Sequence, residues 1–229
     1  MARLERHSEV VKTFRKAIGK FSGRQSWEEF SAGVRLLKQA ADRGCVQAHE
    51  WLGAVYDYGL GVRPNRPRAL VHYMNAARSG KTNAQYHVGV FYFEGRGVKR
   101  SNRLAVRWFR LAARGGDEDA TDALGYCYRY GLGIQKDSRR GFELQLKAAR
   151  RGVARAQFSV GVCFSRGEGT RRSPREALRW YLRAARKGHS GAAHNVGHFY
   201  ENGLGVRTNK RLARSWYHRA DVLRKKKTT

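Results

Sequence analysis

The chain is poor in the residues that would narrow its chemistry quickly. Its 229 residues include three cysteines, Cys45, Cys127 and Cys163. That is an odd number without metal-ligand spacing, which argues against a disulfide framework or a zinc knot. No stretch approaches the ~18 uninterrupted apolar residues of a membrane-spanning helix. Residues 1–21 lack the apolar core of a secretory signal, and no Asn-x-Ser/Thr glycosylation sequon is present. These absences favour an intracellular compartment, whether mitochondrial or otherwise organellar, cytoplasmic or nuclear. No segment alternates apolar and polar residues over a useful length, so strands are not expected. Acidic residues are scarce: 18 Asp and Glu stand against 47 Lys and Arg, a formal net charge of +29. A charge so one-sided repels itself and points to a polyanionic partner.

What the chain does contain is a beat. Gly-x-Gly occurs at Gly59/Gly61, Gly95/Gly97, Gly131/Gly133, Gly167/Gly169 and Gly203/Gly205, 36 residues apart each time. A second marker keeps the same interval: Ala40-Ala41 before Gly44, Ala76-Ala77 before Gly80, Ala112-Ala113 before Gly116, Ala148-Ala149 before Gly152 and Ala184-Ala185 before Gly188. A fixed period of this length is the signature of a solenoid, in which each repeat buries its apolar face against the next.

Each unit reads as two helices. The first, from about Gln47 to Tyr58, has equivalents marked by Ala84/Val88/Gly89/Tyr92, Ala120/Leu124/Gly125/Tyr128, Ala156/Val160/Gly161/Phe164 and Ala192/Val196/Gly197/Tyr200. The second runs from about residue 66 to 79, with equivalents such as Trp108/Phe109, Trp180/Tyr181 and Trp216/Tyr217. A mid-helix glycine costs ~1 kcal/mol against alanine, so its return in every copy predicts a close backbone contact. Gly44 and its equivalents suit left-handed C-terminal caps. Residues 1–25 read as a capping helix or a basic presequence, with Leu4, Val10, Val11, Phe14, Ile18 and Phe21 at helical spacing. Ser26-Trp27-Glu28-Glu29 forms a capping-box pattern. The solenoid is expected over 26–223, as half a repeat (26–44) and five full ones, followed by a basic tail at 224–229.

The run Asn83-Ala84-Gln85-Tyr86-His87-Val88-Gly89, Tyr92, Gly95-Arg96-Gly97-Val98, Ala105, Trp108-Phe109, Ala112-Ala113 and Gly116 resembles the Sel1-like repeat (SLR), a relative of the tetratricopeptide repeat. The resemblance implies an all-α fold, a right-handed α-solenoid superhelix of stacked antiparallel helix pairs. It implies first helices lining a concave groove, second helices on the convex back, and a role as an adaptor that holds protein complexes together. Some secreted members carry one disulfide per repeat. Cys127 and Cys163 occupy equivalent positions without a partner in each copy, which does not fit that subtype.

On this architecture the first helices are nearly neutral, and the turns and second helices carry the excess charge. Three columns recur with the period: Arg78, Arg114, Arg150 and Arg186; Arg103, Arg139, Arg175 and Arg211; and Arg63, Lys99, Arg171 and Arg207. Arg107, Arg110 and Arg179 join them on second helices. Ordinary surfaces mix both signs, whereas these segments present guanidinium forks suited to phosphate. They are the expected contacts for RNA or another polyanion, made to backbone and shape because no base-reading motif is present. The expected peptide groove comprises Glu50, Tyr86, Val90, Asp122, Tyr126, Phe158, His194 and His198, with Ala54, Asp57 and Val162 beside them.

Catalytic and cofactor patterns fail. The Gly-x-Gly turns lack the preceding strand and third glycine of a dinucleotide loop, and no P-loop is present. His194 and His198 stand four apart on a helix, as zinc ligands can, but that place holds Glu50, Tyr86, Asp122 and Phe158 in other copies. Cys127 and Cys163 fall at apolar positions and read as small core residues. The chain reads as a non-enzymatic scaffold without cofactor or small-molecule substrate. Its groove would hold a protein segment and its basic back RNA, as in a ribonucleoprotein such as an organellar ribosome. The alternative is a protein-only adaptor that meets an acidic partner.

Overall fold

The computed structural model describes residues 27–226 together with Lys16, Ala17 and Gly19. The helix expected over residues 1–21 and the Ser26 end of the capping box lie outside the described residues. Among the described residues the chain is all-helical. It divides into two compact units, Met1–Gly115 and Gly116–Thr229, and the 36-residue period runs through that boundary unchanged.

The first unit holds α1 (Trp27–Asp42), α2 (Val46–Tyr58), α3 (Arg66–Arg78), α4 (Thr82–Glu94) and α5 (Asn102–Arg114). The second holds α6 (Glu118–Tyr130), α7 (Ser138–Arg150), α8 (Ala154–Arg166), α9 (Pro174–Arg186), α10 (Ser190–Asn202) and α11 (Lys210–Lys225). Within each unit the helices pair as antiparallel hairpins, α2 with α3 and α4 with α5, then α6 with α7, α8 with α9 and α10 with α11. Neighbouring hairpins stack through α3 on α4, α7 on α8 and α9 on α10. This is the arrangement of an α-solenoid.

Local chemistry sets the ends of each helix. The second helices open on Asn65, Ser101, Asp137, Ser173 and Asn209, whose side chains accept from backbone amides of the first turn, satisfying donors that a helix start leaves free. The first helices close on Gly59, Gly95, Gly131, Gly167 and Gly203, all left-handed. The second glycine of the turns at Gly61, Gly97, Gly169 and Gly205 is needed for space as well as for φ. A Cβ on Gly97 would stand 2.8 Å from Pro67 and 2.9 Å from Arg66, and one on Gly205 would stand 2.5 Å from the backbone of Arg175. Within each unit these turns therefore lie on the start of the preceding copy's second helix.

Packing follows the small-residue columns. Ala48, Ala84, Ala120, Ala156 and Ala192 are fully buried. The core of the first unit gathers Leu37, Leu52, Val55, Tyr73, Val88 and Phe91. That of the second forms around Val160, Cys163 and Trp180, and around Tyr181, Val196 and Phe199. Burial of one such side chain is worth ~1.5–3 kcal/mol.

The backbone contact expected at the mid-helix glycines is a ring contact in four copies. A Cβ on Gly53, Gly89, Gly161 or Gly197 would fall 2.5–2.8 Å from the ring of Tyr73, Phe109, Tyr181 or Tyr217. In the third full copy Gln145 replaces the ring. There two helix backbones do meet, with Gly125 facing the carbonyl of Gly141 at 2.8 Å from its would-be Cβ.

The last helix differs from its predecessors. Where α3, α7 and α9 bury Leu70, Phe142 and Leu178, and Ala77, Ala149 and Ala185, α11 carries Arg214 and Asp221, both exposed. It turns a polar face outward.

Candidate interaction surfaces

The second helices and the turns before them carry the cations outward. Arg63, Arg78, Lys99, Arg103, Arg107, Arg114, Arg139, Arg150, Arg171, Arg175, Arg179, Arg186, Arg207 and Arg211 are exposed, and Arg110 is half-buried. Two of them have acidic partners among the described residues: Arg139 pairs with Glu143 at 3.3 Å and Arg179 with Glu176 at 2.5 Å, each on its own helix. Exposed pairs of this kind contribute little to stability. On α5, Arg103, Arg107, Arg110 and Arg114 follow one another at helical spacing on one face, over about 16 Å of helix axis.

The groove candidates divide. Tyr126 on α6 is 42% exposed, and beside it stands Tyr130, outside the expected set and 43% exposed, with ring centroids 4.6 Å apart. His194 and His198 on α10 are exposed, the first against the Tyr217 ring at 5.0 Å and the second bonded to Asn202 at 3.0 Å. Tyr86, Val90, Phe158, Ala54, Val162 and Glu50 are half-buried. Tyr86 packs on Phe109, Phe158 stacks on His189 at 4.4 Å, and Glu50 accepts from Asn83. Asp122 is only 2% exposed. It accepts from Gln145 of its own repeat at 3.0 Å and pairs with Arg155 of the next at 2.6 Å, so it joins the two copies. Asp57 is likewise committed, to Arg96 at 3.1 Å.

The largest feature that sequence reasoning missed is a polar core in the second unit. Arg129 is 3% exposed. It donates to Gln145 at 2.9 Å and to Glu168 at 2.5 Å, and its guanidinium lies over the Tyr130 ring. Burial, the largest single influence, raises the Glu168 carboxyl, but the bonds and charges of Arg129 and Arg166 together outweigh it and hold the group below its ordinary value. One signal was available. Gln145 stands where Tyr73, Phe109, Tyr181 and Tyr217 stand in other copies, and Gly141 stands where Ala69, Ala105, Ala177 and Ala213 stand.

A second missed pair is His49 and His72, facing each other through Nδ1 atoms 3.0 Å apart. His72 stacks on Tyr56, with centroids at 5.5 Å. Burial, aided by the nearby His49, Lys38 and Arg68 and opposed by Asp42, pushes its pKa down to about 4. The three cysteines are buried with free thiols. Burial raises Cys127 and Cys163 to about 11, with Arg129 opposing in the second case. Both remain protonated near neutrality, which suits core packing and not nucleophilic attack.

A family model for the Sel1 repeat matches residues 30–45, 46–81, 82–117, 119–153, 154–189 and 190–220. The chain belongs to the Sel1-repeat family. Among solved structures it is similar to a Sel1 repeat protein from Oxalobacter formigenes, at 26% identity and a TM-score of 0.81, covering 91% of this chain and 82% of that one. It is also similar to c5321, a protective antigen of uropathogenic Escherichia coli with an SLR fold, at 28% identity and a TM-score of 0.83. That match covers 96% of this chain and 48% of the antigen, so this chain spans about half its length. The immunity protein Pa5087 from Pseudomonas aeruginosa shares the fold at 19% identity and a TM-score of 0.59. No curated protein matches. As a Sel1-repeat chain it is a helical scaffold suited to protein–protein interaction, in a family that is generally non-catalytic. No helix among the described residues is long and apolar enough to cross a membrane.

Proposed function

We propose that this Sel1-repeat scaffold is a non-catalytic adaptor inside a ribonucleoprotein such as an organellar ribosome. It holds a protein segment along its first helices and RNA along its basic turns and second helices. The observation that carries the reading is the state of the arginines. Those of the three columns, with Lys99, are exposed, recur with the 36-residue period and, apart from Arg139, make no ion pair among the described residues. Cations that the fold does not neutralise, spaced along a repeating surface, suit a ligand with evenly repeated negative charge. Tyr126 and Tyr130 supply the corresponding offer to a peptide: rigid rings with polar tips.

The test is RNA binding by the purified chain across a salt series, read by fluorescence anisotropy. Phosphate contacts give a log–log slope near −0.7 for each single-strand phosphate neutralised. A flat response, together with a set of co-purifying proteins that nuclease leaves unchanged, transfers the basic surface to an acidic protein partner.

A further inference from the structure

Two classes of arginine stand on the second helices. Arg78, Arg114, Arg150 and Arg186 occupy last turns, beside carbonyls that carry the negative end of the helix dipole. A cation belongs there on structural grounds alone. A second class stands at the opposite end, among N–H groups at the positive end, where acids are favoured. The first turns of α3, α5, α7 and α11 contain no acid. They carry Arg66 and Arg68, Arg103, Arg139 and Arg140, and Lys210 and Arg211. α9 opens on Arg175 beside a single Glu176. The same chain obeys the ordinary preference elsewhere, since α1 opens on Glu28 and Glu29, and α6 on Glu118 and Asp119. Arg68 and Arg140 lie over the rings of Tyr56 and Tyr128 and Arg139 pairs with Glu143, but the helix dipole works against all of these cations.

The turns add to the same edge. Gly97 lies on Arg66 and Pro67, Gly169 on Ser138, and Gly205 on Pro174 and Arg175. The basic residues that follow those glycines, Lys99 and Arg100, Arg171 and Arg172, and Arg207, are exposed. In each unit, turn cations and like-directed helix N-termini come together along one margin, where the dipoles and side-chain charges share a sign.

Resting on the polyanion reading above, we propose that this margin is the nucleic-acid site and that its occupant is a single-stranded phosphodiester backbone. The margin is a line of cations and N–H ends one helix turn deep. A strand with one charge per nucleotide can follow such a line without its bases being read.

Two triple variants of the full chain, equal in charge change, separate the margin from the opposite helix ends. The first carries Arg139→Glu, Arg175→Glu and Arg211→Glu. The second carries Arg114→Glu, Arg150→Glu and Arg186→Glu. Binding of a labelled oligouridylate is followed across salt. The margin variant is expected to lose more than about tenfold in affinity, and its log–log slope to shrink by about 2, for three contacts near 0.7 each. The second variant is expected to change less than about threefold with its slope intact. Thermal melting supplies the control: glutamate at helix starts leaves the margin variant melting no lower than the parent, while glutamate at helix ends lowers the second. Equal losses, or a larger loss in the second variant, overturn the assignment while leaving the polyanion reading in place. A parent chain that does not bind the oligouridylate removes both.

Discussion

Asp57 and Arg129 hold the same place in their repeats, and their partners Arg96 and Glu168 hold the same place in the next turn. The pair at 3.1 Å in the first unit thus reappears with its charges exchanged in the second, again 39 residues apart. Each joins the last turn of a first helix to the following Gly-x-Gly turn, so each staples one copy to the next. Arg129 is the more buried cation, and removing a partner from such a pair strands the other charge. With Glu168 33% exposed on its side chain, solvent relieves part of that penalty. Arg129→Ala should cost roughly 2–3 kcal/mol in urea unfolding. Restoring attraction with the order found in the first unit, Arg129→Asp with Glu168→Arg, should recover part of the loss. No recovery would mean that Gln145, and not Glu168, is the partner that matters. None of this pairing was legible in advance. Position 129 and its equivalents hold Asp57, Phe93, Ser165 and Glu201, a variety that looks like a tolerant surface until coordinates bring residues 39 apart together.

At the scale of elements, the helices, their limits and the glycines that end them were legible because glycine and alanine recur at positions where only one conformation or one size fits. What a small residue faces is not written in the residue itself, so a ring was mistaken for a backbone. The distinction has a measurable consequence. Gly89→Ala gains ~1 kcal/mol of helix propensity, but its Cβ would stand 2.5 Å from the Phe109 ring, and overpacking costs about 1–3 kcal/mol. A net loss of about 1 kcal/mol is expected by chemical denaturation. Gly89→Ala combined with Phe109→Leu should fall short of the summed single losses, since the smaller side chain relieves the clash. The α2–α3 hairpin adds a pH effect through His72. Its folded pKa of about 4 lies below its ordinary 6.5, so the unfolded chain binds more protons between those values. Stability is complete above pH 6.5 and falls as pH drops toward 4. Because His72 is only half-buried, the slope should stay under about 1 kcal/mol per pH unit. His72→Phe should flatten the profile in that window. An unchanged profile would assign the acid sensitivity to carboxylates instead.

At the scale of the whole molecule, the sequence carried the solenoid because a period is a global property visible in one dimension. It carried the sign of the surface charge for the same reason. The sorting of that charge into cations that complement helix ends and cations that oppose helix starts follows from helix limits that were legible, whereas the seating of the basic turns on preceding helix starts needed the folded chain. The net charge of +29 then becomes a statement about stability. The Debye length falls from ≈10 Å at 0.1 M salt to about 3 Å at 1 M, so added sodium chloride screens repulsion between arginines that lack acidic partners. Melting temperature should therefore rise by several degrees over that range, unlike that of a chain held together by surface ion pairs, which salt weakens. A bound polyanion neutralises the same charges while binding only the folded form. An oligouridylate at low salt should raise the melting temperature beyond what its own ionic strength accounts for, and the margin variant should lose that extra rise while keeping its response to sodium chloride. If parent and variant gain equally from the oligonucleotide, the repulsion is relieved without a defined strand path, and the chain's charge acts only as a diffuse field.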